Sequence, residues 1–334
     1  SESEIAVASV IDFGGHGDNP WVKEYNISSL AGIEYFTALV ELNCSYSNVS
    51  SLSLNNNQNL RILNCAQCHD LSSLDLSGNT QLEELICWYD FGLNTLDLSH
   101  NPMLRVLECD GNGISSLDIS HNPVLAALSC GQNSFTSLDF NGSSSLRTLN
   151  CTDCASLVSL NLSNCTALNT VECENCALTS LNINGCLSLE KLFCENNQLT
   201  SLSTQGCANL IWLDCSDNTL TTLDVSGAPL LKILDCESNP LSGLDVRQNT
   251  ALEVLLVDGC GLATLDLSQN AALVRLNAID NTLSSLDISG NLSLKVLECA
   301  MSPLTTLDIS ANATLKSVYA TGVTDQAGDM ANFY

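Results

Sequence analysis

The chain has 334 residues, 37 of them acidic and 10 basic, for a formal charge of −27 at neutral pH. Such a surface repels phosphate backbones and anionic lipid, which argues against nucleic-acid and membrane-surface partners. With 45% hydrophobic and 14% charged residues the sequence is too apolar for a disordered chain, and no apolar run approaches the ~18 residues that span a bilayer.

Taken in chain order, residues 1–26 read as a capping segment. It starts at Ser1 rather than Met, so any targeting signal would lie ahead of it. Its GGHG stretch, with His16, lacks the strand–helix context and spacing of a phosphate loop.

From residue 27 to 321 one phrase recurs, as in LRVLECDGNGISSLDISHN (104–122). Alignment on cysteine gives Cys44, Cys65, Cys87, Cys109, Cys130, Cys151, Cys173, Cys194, Cys215 and Cys236, then Val257, Ala278, Cys299 and Ala320, in steps of 21 or 22 residues. This period marks a solenoid of about fourteen coils. A position that accepts Cys, Val or Ala wants a compact hydrophobe, so the recurring thiol is packing.

Within a coil the pattern LxxLxCxxNxLxxLDLxxN holds two period-two cores, each the signature of a short strand with one buried face. Each coil is therefore predicted to carry two short parallel strands, stacked with those of its neighbours into two sheets around one core.

The phrase resembles the leucine-rich repeat proteins, specifically the bacterial 21-residue kind with nested half-repeats, over about residues 27–321. The resemblance implies that the position three after the cysteine phase is an inward Asn or Cys bonding the backbone of the turn. Here it holds Asn112, Asn133, Asn197, Asn218, Asn239 and Asn281, with Cys68, Cys154, Cys176 and Cys260. Ser47, Asp90, Ser302 and Val323 depart from the rule, so this ladder is expected to weaken towards both ends. The segment NISSLAGIEYFTAL (26–39) resembles the opening of such proteins, a half-repeat from Ile27 to Ile33 followed by a helical turn. The tail, 322–334, is too polar for a good cap; the last coil is expected to fray unless more sequence follows.

Three remaining cysteines, Cys165, Cys186 and Cys207, share a turn phase held elsewhere by Asn79, Asn101, Asn122, Asn249 and Asn270. Lying on consecutive coils, they leave open a disulfide, a thiolate metal site or simple packing. CxxC pairs such as Cys65 and Cys68 arise from overlap of two repeat phases and carry little weight for metal. His100 and His121 share a turn phase, which leaves open a two-histidine metal site or a hydrated pair.

The second strand carries an outward Asp row: Asp75, Asp97, Asp118, Asp139, Asp224, Asp245, Asp266, Asp287 and Asp308, neutral in the middle at Asn161, Asn182 and Ser203. Like charges abreast repel, so these carboxylates either accept bonds from Ser, Thr or backbone N–H groups or collect cations such as Ca²⁺.

The outward face of the first strand is where leucine-rich repeats commonly bind. On it Phe193, Trp212, Ile233, Val254 and Leu256 are predicted to form a contiguous apolar patch with an acidic rim, the acids including Glu172, Glu174, Asp214, Asp235 and Glu237. A one-residue insertion, CWYDFG (87–92), puts Trp88 and Tyr89 on the rim, with Phe91 either beside them or folded inward. No nucleophile–base arrangement stands out from the repeat. The sequence therefore reads as a non-catalytic protein- or peptide-binding scaffold needing no cofactor, with a basic partner favoured. The resemblance implies an exported or cell-surface protein, with a lipid anchor conceivable ahead of Ser1. The alternative is a Ca²⁺-dependent adhesion module built on the Asp rows.

Overall fold

The computed structural model describes residues 8–13 and 27–320, with the backbone of Thr324–Asp325; His16, the GGHG stretch, Val323 and most of the tail lie outside the described residues. The chain divides into two units, Ser1–Leu160 and Asn161–Tyr334. The first holds the first strands Glu41–Asn43, Ile62–Asn64, Glu84–Ile86, Val106–Glu108, Ala127–Ser129 and Thr148–Asn150. The second holds Thr170–Glu172, Lys191–Phe193, Trp212–Asp214, Ile233–Asp235, Val254–Leu256, Arg275–Asn277, Val296–Glu298 and Ser317–Tyr319. Fourteen first strands make thirteen full turns, and the solenoid expectation holds. Ahead of them Val10–Asp12 pairs in parallel with Glu41–Asn43, covering a sheet edge that would otherwise present unpaired backbone. The expected helical turn is a short 3₁₀ segment, Ile33–Tyr35, entered through left-handed Gly32.

Each first strand buries its central residue and leaves both flanking side chains at least partly open, with Asn277 the one flanking residue that is buried. Neighbours align in register, Leu213 beside Leu192 and Leu234, so the central leucines stack as a column. A fully buried leucine contributes about 1.5–3 kcal/mol relative to an exposed one, realised only when a neighbouring coil covers it. At the cysteine phase the side chains are likewise sealed, and Val257 and Ala278 are equally buried. Among the described residues no disulfide links any of the eighteen cysteines, and only Cys176 is half-buried. Several thiols donate to the next coil's backbone, Cys194 Sγ to Asp214 O at 3.3 Å and Cys215 Sγ to Asp235 O at 3.4 Å. The cysteine column is an interior feature.

The bends explain the rest of the phrase. Two residues after the cysteine phase the chain turns left-handed, at Tyr46, Gln67, Tyr89, Asp217 and Met301 among others. That conformation strains any residue but glycine. Its N–H still bonds laterally, as from Asp217 to Glu237 O at 3.0 Å. The following Asn turns inward: Asn218 Nδ2 donates to Cys194 O and Cys215 O at 3.0 and 3.1 Å, and its Oδ1 accepts the Leu199 N–H at 3.0 Å. Asn112, Asn133, Asn197, Asn239 and Asn281 repeat this bonding in their own coils.

Towards the ends the ladder behaves unevenly. Ser302 Oγ is buried without a partner, whereas Asp90 continues the ladder by other atoms. Fully buried, it accepts the Cys68 N–H at 2.6 Å, and its own N–H donates to Asn112 Oδ1 at 2.7 Å.

A second Asn ladder follows the second strand, where Asn79 Nδ2 donates to Leu54 O and Asn57 O, both at 3.0 Å. Here the Oδ1 of Asn57, Asn79, Asn101, Asn122, Asn249, Asn270, Asn291 and Asn312 is buried with no donor. That cost accounts for the exchange to cysteine: Cys186 Sγ and Cys207 Sγ donate to Leu162 O and Ile183 O at 3.1 and 3.5 Å and bring no orphaned oxygen. Burial pushes the Cys186 thiol up to about 12 and Cys207 up to about 11. Cys165 is buried in the same column, and the three act as ladder rungs.

The second side departs from the expected two continuous sheets. Second strands form at Ser137–Asp139, Ser159–Asn161, Ser180–Asn182, Ser201–Ser203, Thr222–Asp224 and Thr306–Leu307. In unit 2 Ser203 pairs beside Asp224, but where Asp245, Asp266 and Asp287 stand on successive coils the segments form no strands. Carboxylates abreast repel, which disfavours pairing along this row. Each of these Asp side chains instead caps its own turn. Asp75 Oδ1 accepts the Ser77 N–H and hydroxyl at 3.0 and 2.7 Å, and Asp266 and Asp287 accept from Ser268 and Ser289. These bonds hold the Asp75, Asp266 and Asp287 carboxyls below their ordinary range.

Two predictions follow from the ladders. Asn218→Ala leaves the Leu199 N–H unpaired and removes one of two Asn donors from each of Cys194 O and Cys215 O, and should cost about 1–3 kcal/mol in denaturant unfolding. Cys215→Ala should cost clearly less, and equal costs would refute the ladder's role. At Asp90, burial first and the nearby Cys68 second push the carboxyl up to about 8. Its folded form therefore keeps a proton the unfolded chain releases near 4, so stability is fullest in acid and is lost as pH rises to about 8. Asp90→Asn should raise Tm at pH 8 by about 2–4 °C; a lowered Tm would contradict this.

Candidate functional site

The predicted patch lies in unit 2, on three outward rows of the first strands. The row before the central leucine sets Trp212 abreast of Ile233 and Ile233 abreast of Val254. The row after it runs Glu172, Phe193, Asp214, Asp235, Leu256, Asn277, each abreast of the next. The row past the cysteine phase holds Glu174, Glu195, Ser216, Glu237 and Asp258. All five apolar residues are half-buried. Phe193 and Trp212 meet edge to face, ring centroids 5.0 Å apart at 76°, a geometry worth about 0.5–1.5 kcal/mol beyond area burial.

The acids do not ring this patch. They form a stripe along one side of it, with Asp214 and Asp235 set between Phe193 and Leu256 in one row. Burial first, then the Asp214 charge, pushes the Asp235 carboxyl up to about 7. Burial likewise raises Glu195, Glu237 and Asp258. Asp214 Oδ1 accepts the Ser216 N–H and hydroxyl at 3.1 and 2.7 Å. Two nearby cations are engaged elsewhere, Lys232 with Glu253 at 2.9 Å and Arg275 with Glu298 at 3.1 Å, while Lys191 stands abreast of Trp212.

Two participants were not anticipated. Asn277 reaches over an intervening coil to donate to Glu237 Oε1 at 2.7 Å; nothing in a repeat phrase signals a contact between coils two apart. Asp217 sits at the left-handed turn and adds to the charge around Asp235; its phase in the repeat was the available signal.

In unit 1 the insertion builds a separate aromatic group. Trp88 meets Tyr46 and Tyr89 edge to face at 6.1 and 5.7 Å, and Phe91, 64% exposed, stacks on His69 at 5.1 Å. Phe91 therefore stays on the rim, and it is Asp90 that turns inward. Tyr89 OH donates to Gln132 Oε1 at 2.8 Å. His100 and His121 each turn Nδ1 to the preceding serine hydroxyl, at 3.0 and 3.1 Å. Among the described residues no group of three or more His, Cys, Asp or Glu is arranged to hold a metal, and no helix is long and apolar enough to cross a membrane.

Parallel strands in register, a sealed cysteine column and inward Asn rungs define a leucine-rich repeat solenoid. No family model and no curated protein sequence matches the chain. Solved structures do. The functional domain of InlJ from Listeria monocytogenes, which includes a cysteine ladder, is 33% identical over 98% of this chain and 70% of its own, with TM-score 0.79. The Leptospira interrogans LRR protein LIC12759 shares 20% identity over 97% of this chain and 86% of its own, TM-score 0.73. The internalin InlF from Listeria monocytogenes shares 20% over 95% and 88%, TM-score 0.62. The chain belongs to the bacterial leucine-rich repeat proteins with a cysteine ladder.

Because Asp235 titrates near neutrality, the negative charge of this face grows as pH rises from 6 to 8. Affinity for a lysine-rich peptide should rise several-fold over that interval, and Asp235→Asn should flatten the rise. Affinity independent of pH would show that Asp235 carries no part of the attraction.

Proposed function

We propose that this chain is a non-catalytic scaffold that holds a protein or peptide on the outward first-strand face of unit 2, in an exported or cell-surface setting. One observation carries the reading. Phe193 and Trp212 form an aromatic pair continuous with Ile233 and Val254, open on a face whose alternate side chains are sealed in the core. Aromatic anchors of this kind dominate interface energetics, and an apolar row on a soluble protein marks an interaction site. The flanking Asp214, Asp235, Glu237, Glu172 and Glu174 favour a basic partner, since like charge would be rejected. The resemblance of the repeat to bacterial leucine-rich repeat proteins is what favours a binding scaffold in a surface setting. The aromatic group at Trp88 and Tyr89 is a second contact area on the same kind of face.

Selection of a displayed random-peptide library on the immobilised chain tests this. Enriched peptides should combine lysine or arginine with a large apolar residue. They should bind Trp212→Ala and Phe193→Ala at least about tenfold more weakly, the loss of about 1.4 kcal/mol or more, at little change in Tm. Selected peptides that bind both variants as well as the parent chain, or no enrichment at all, would remove this face from the proposal.

A further inference from the structure

The interruption of the Asp row has a structural counterpart in unit 2. An open cavity of about 590 Å³ lies on the second-strand side, lined by the side chains of Asn182, Asn184, Ser201, Ser203, Gln205, Thr222 and Asp224, with Leu202 and Leu223 buried in the core beneath it. Its volume falls within the range of about 300–1,000 Å³ typical of small-molecule sites.

In two of the three coils that carry it, at Asn182 and Ser203, the capping role of the Asp is kept and its charge is removed. Asp224 Oδ1 caps its turn through the Ser226 N–H at 3.0 Å. Asn182 Oδ1 does the same for the Asn184 N–H at 3.1 Å, and Ser203 Oγ for the Gln205 N–H at 3.4 Å. The turn is thus served in all three, so turn geometry does not account for the exchange. What changes is the outward atom. A carboxylate offers a second charged acceptor, whereas Asn182 offers the amide Nδ2 as a donor. Gln205 Nε2 is engaged by Asp224 Oδ2 and Ser226 Oγ at 3.3 and 3.1 Å, which leaves its Oε1 as an acceptor. With the Ser201 and Thr222 hydroxyls, the cavity presents mainly uncharged donors and acceptors beside one carboxylate, Asp224. Elsewhere on this side carboxylates stand on successive coils.

We propose that this cavity binds a short neutral oligosaccharide. Hydroxyl groups that both donate and accept match the amide and hydroxyl lining. An anionic glycan would meet Asp224 and the charge of the flanking row, and a cation would find a single carboxylate, Asp224, already engaged by Ser203 and Gln205. This site is independent of the first-strand face.

Calorimetric titration of the whole chain with neutral gluco-, manno- and N-acetylglucosamine tetrasaccharides, and with a sulfated tetrasaccharide, tests the assignment. At least one neutral probe should bind, and the sulfated probe should bind at least about tenfold more weakly. Asn182→Asp installs the residue other coils already carry with no carboxylate abreast of it, so it should fold and melt like the parent, whereas Ser203→Asp stands abreast of Asp224 and should melt somewhat lower. Each should weaken neutral-sugar binding at least about tenfold, while Trp212→Ala leaves it unchanged. Failure of every neutral probe, equal binding of the sulfated one, or undiminished binding in the Asp variants would overturn the proposal.

Discussion

A chain that closes a coil every 21 or 22 residues must bend twice, and each bend turns backbone carbonyls inward where no strand can pair them. Everything else in this structure depends on how those carbonyls are satisfied. An asparagine directed into the core donates to two of them at once, as Asn218 does. A thiol in the second ladder meets one, as Cys186 does. Both side chains are compact, so coils stack at strand spacing and the leucine columns close without voids. Lateral bonding also lets the left-handed turn tolerate residues as large as Tyr46 and Tyr89.

Because the interior is filled by one set of alternate side chains, the other set has little structural duty on the first-strand side. That separation of roles lets Phe193, Trp212 and Ile233 stand outward without disturbing the core. It also lets carboxylates gather beside them to the point where Asp235 titrates near 7. On the second-strand side the separation is less complete, because the outward Asp also caps the turn. Residues there can shed charge only if they keep an acceptor in place, as Asn182 and Ser203 do.

Much of this was legible in the sequence. Period, inward cysteine phase, both Asn positions and the outward apolar residues follow from a phrase repeated more than a dozen times, since each coil reports independently on the same geometry. What escaped was whatever the repeat does not repeat. The inward turn of Asp90 could not be read from a phase that elsewhere prefers a donor. The reach of Asn277 to Glu237 depends on how neighbouring coils sit together, which a one-dimensional pattern does not contain. The loss of second strands along the Asp row required weighing repulsion between coils against a propensity each coil expresses alone. The placement of Asp214 and Asp235 between Phe193 and Leu256, in place of a surrounding rim, depended on register.

The account rests on the direction in which the repeating thiols point, and their reactivity reports that directly. Native protein at pH 8 under reducing-agent-free conditions, treated with a soluble disulfide reagent, should label no cysteine beyond half-buried Cys176, and all eighteen should react once the chain is unfolded in denaturant. Rapid labelling of Cys194, Cys215 or Cys236 in the folded protein would mean that this column faces solvent, and the assignment of inward and outward faces would be reversed.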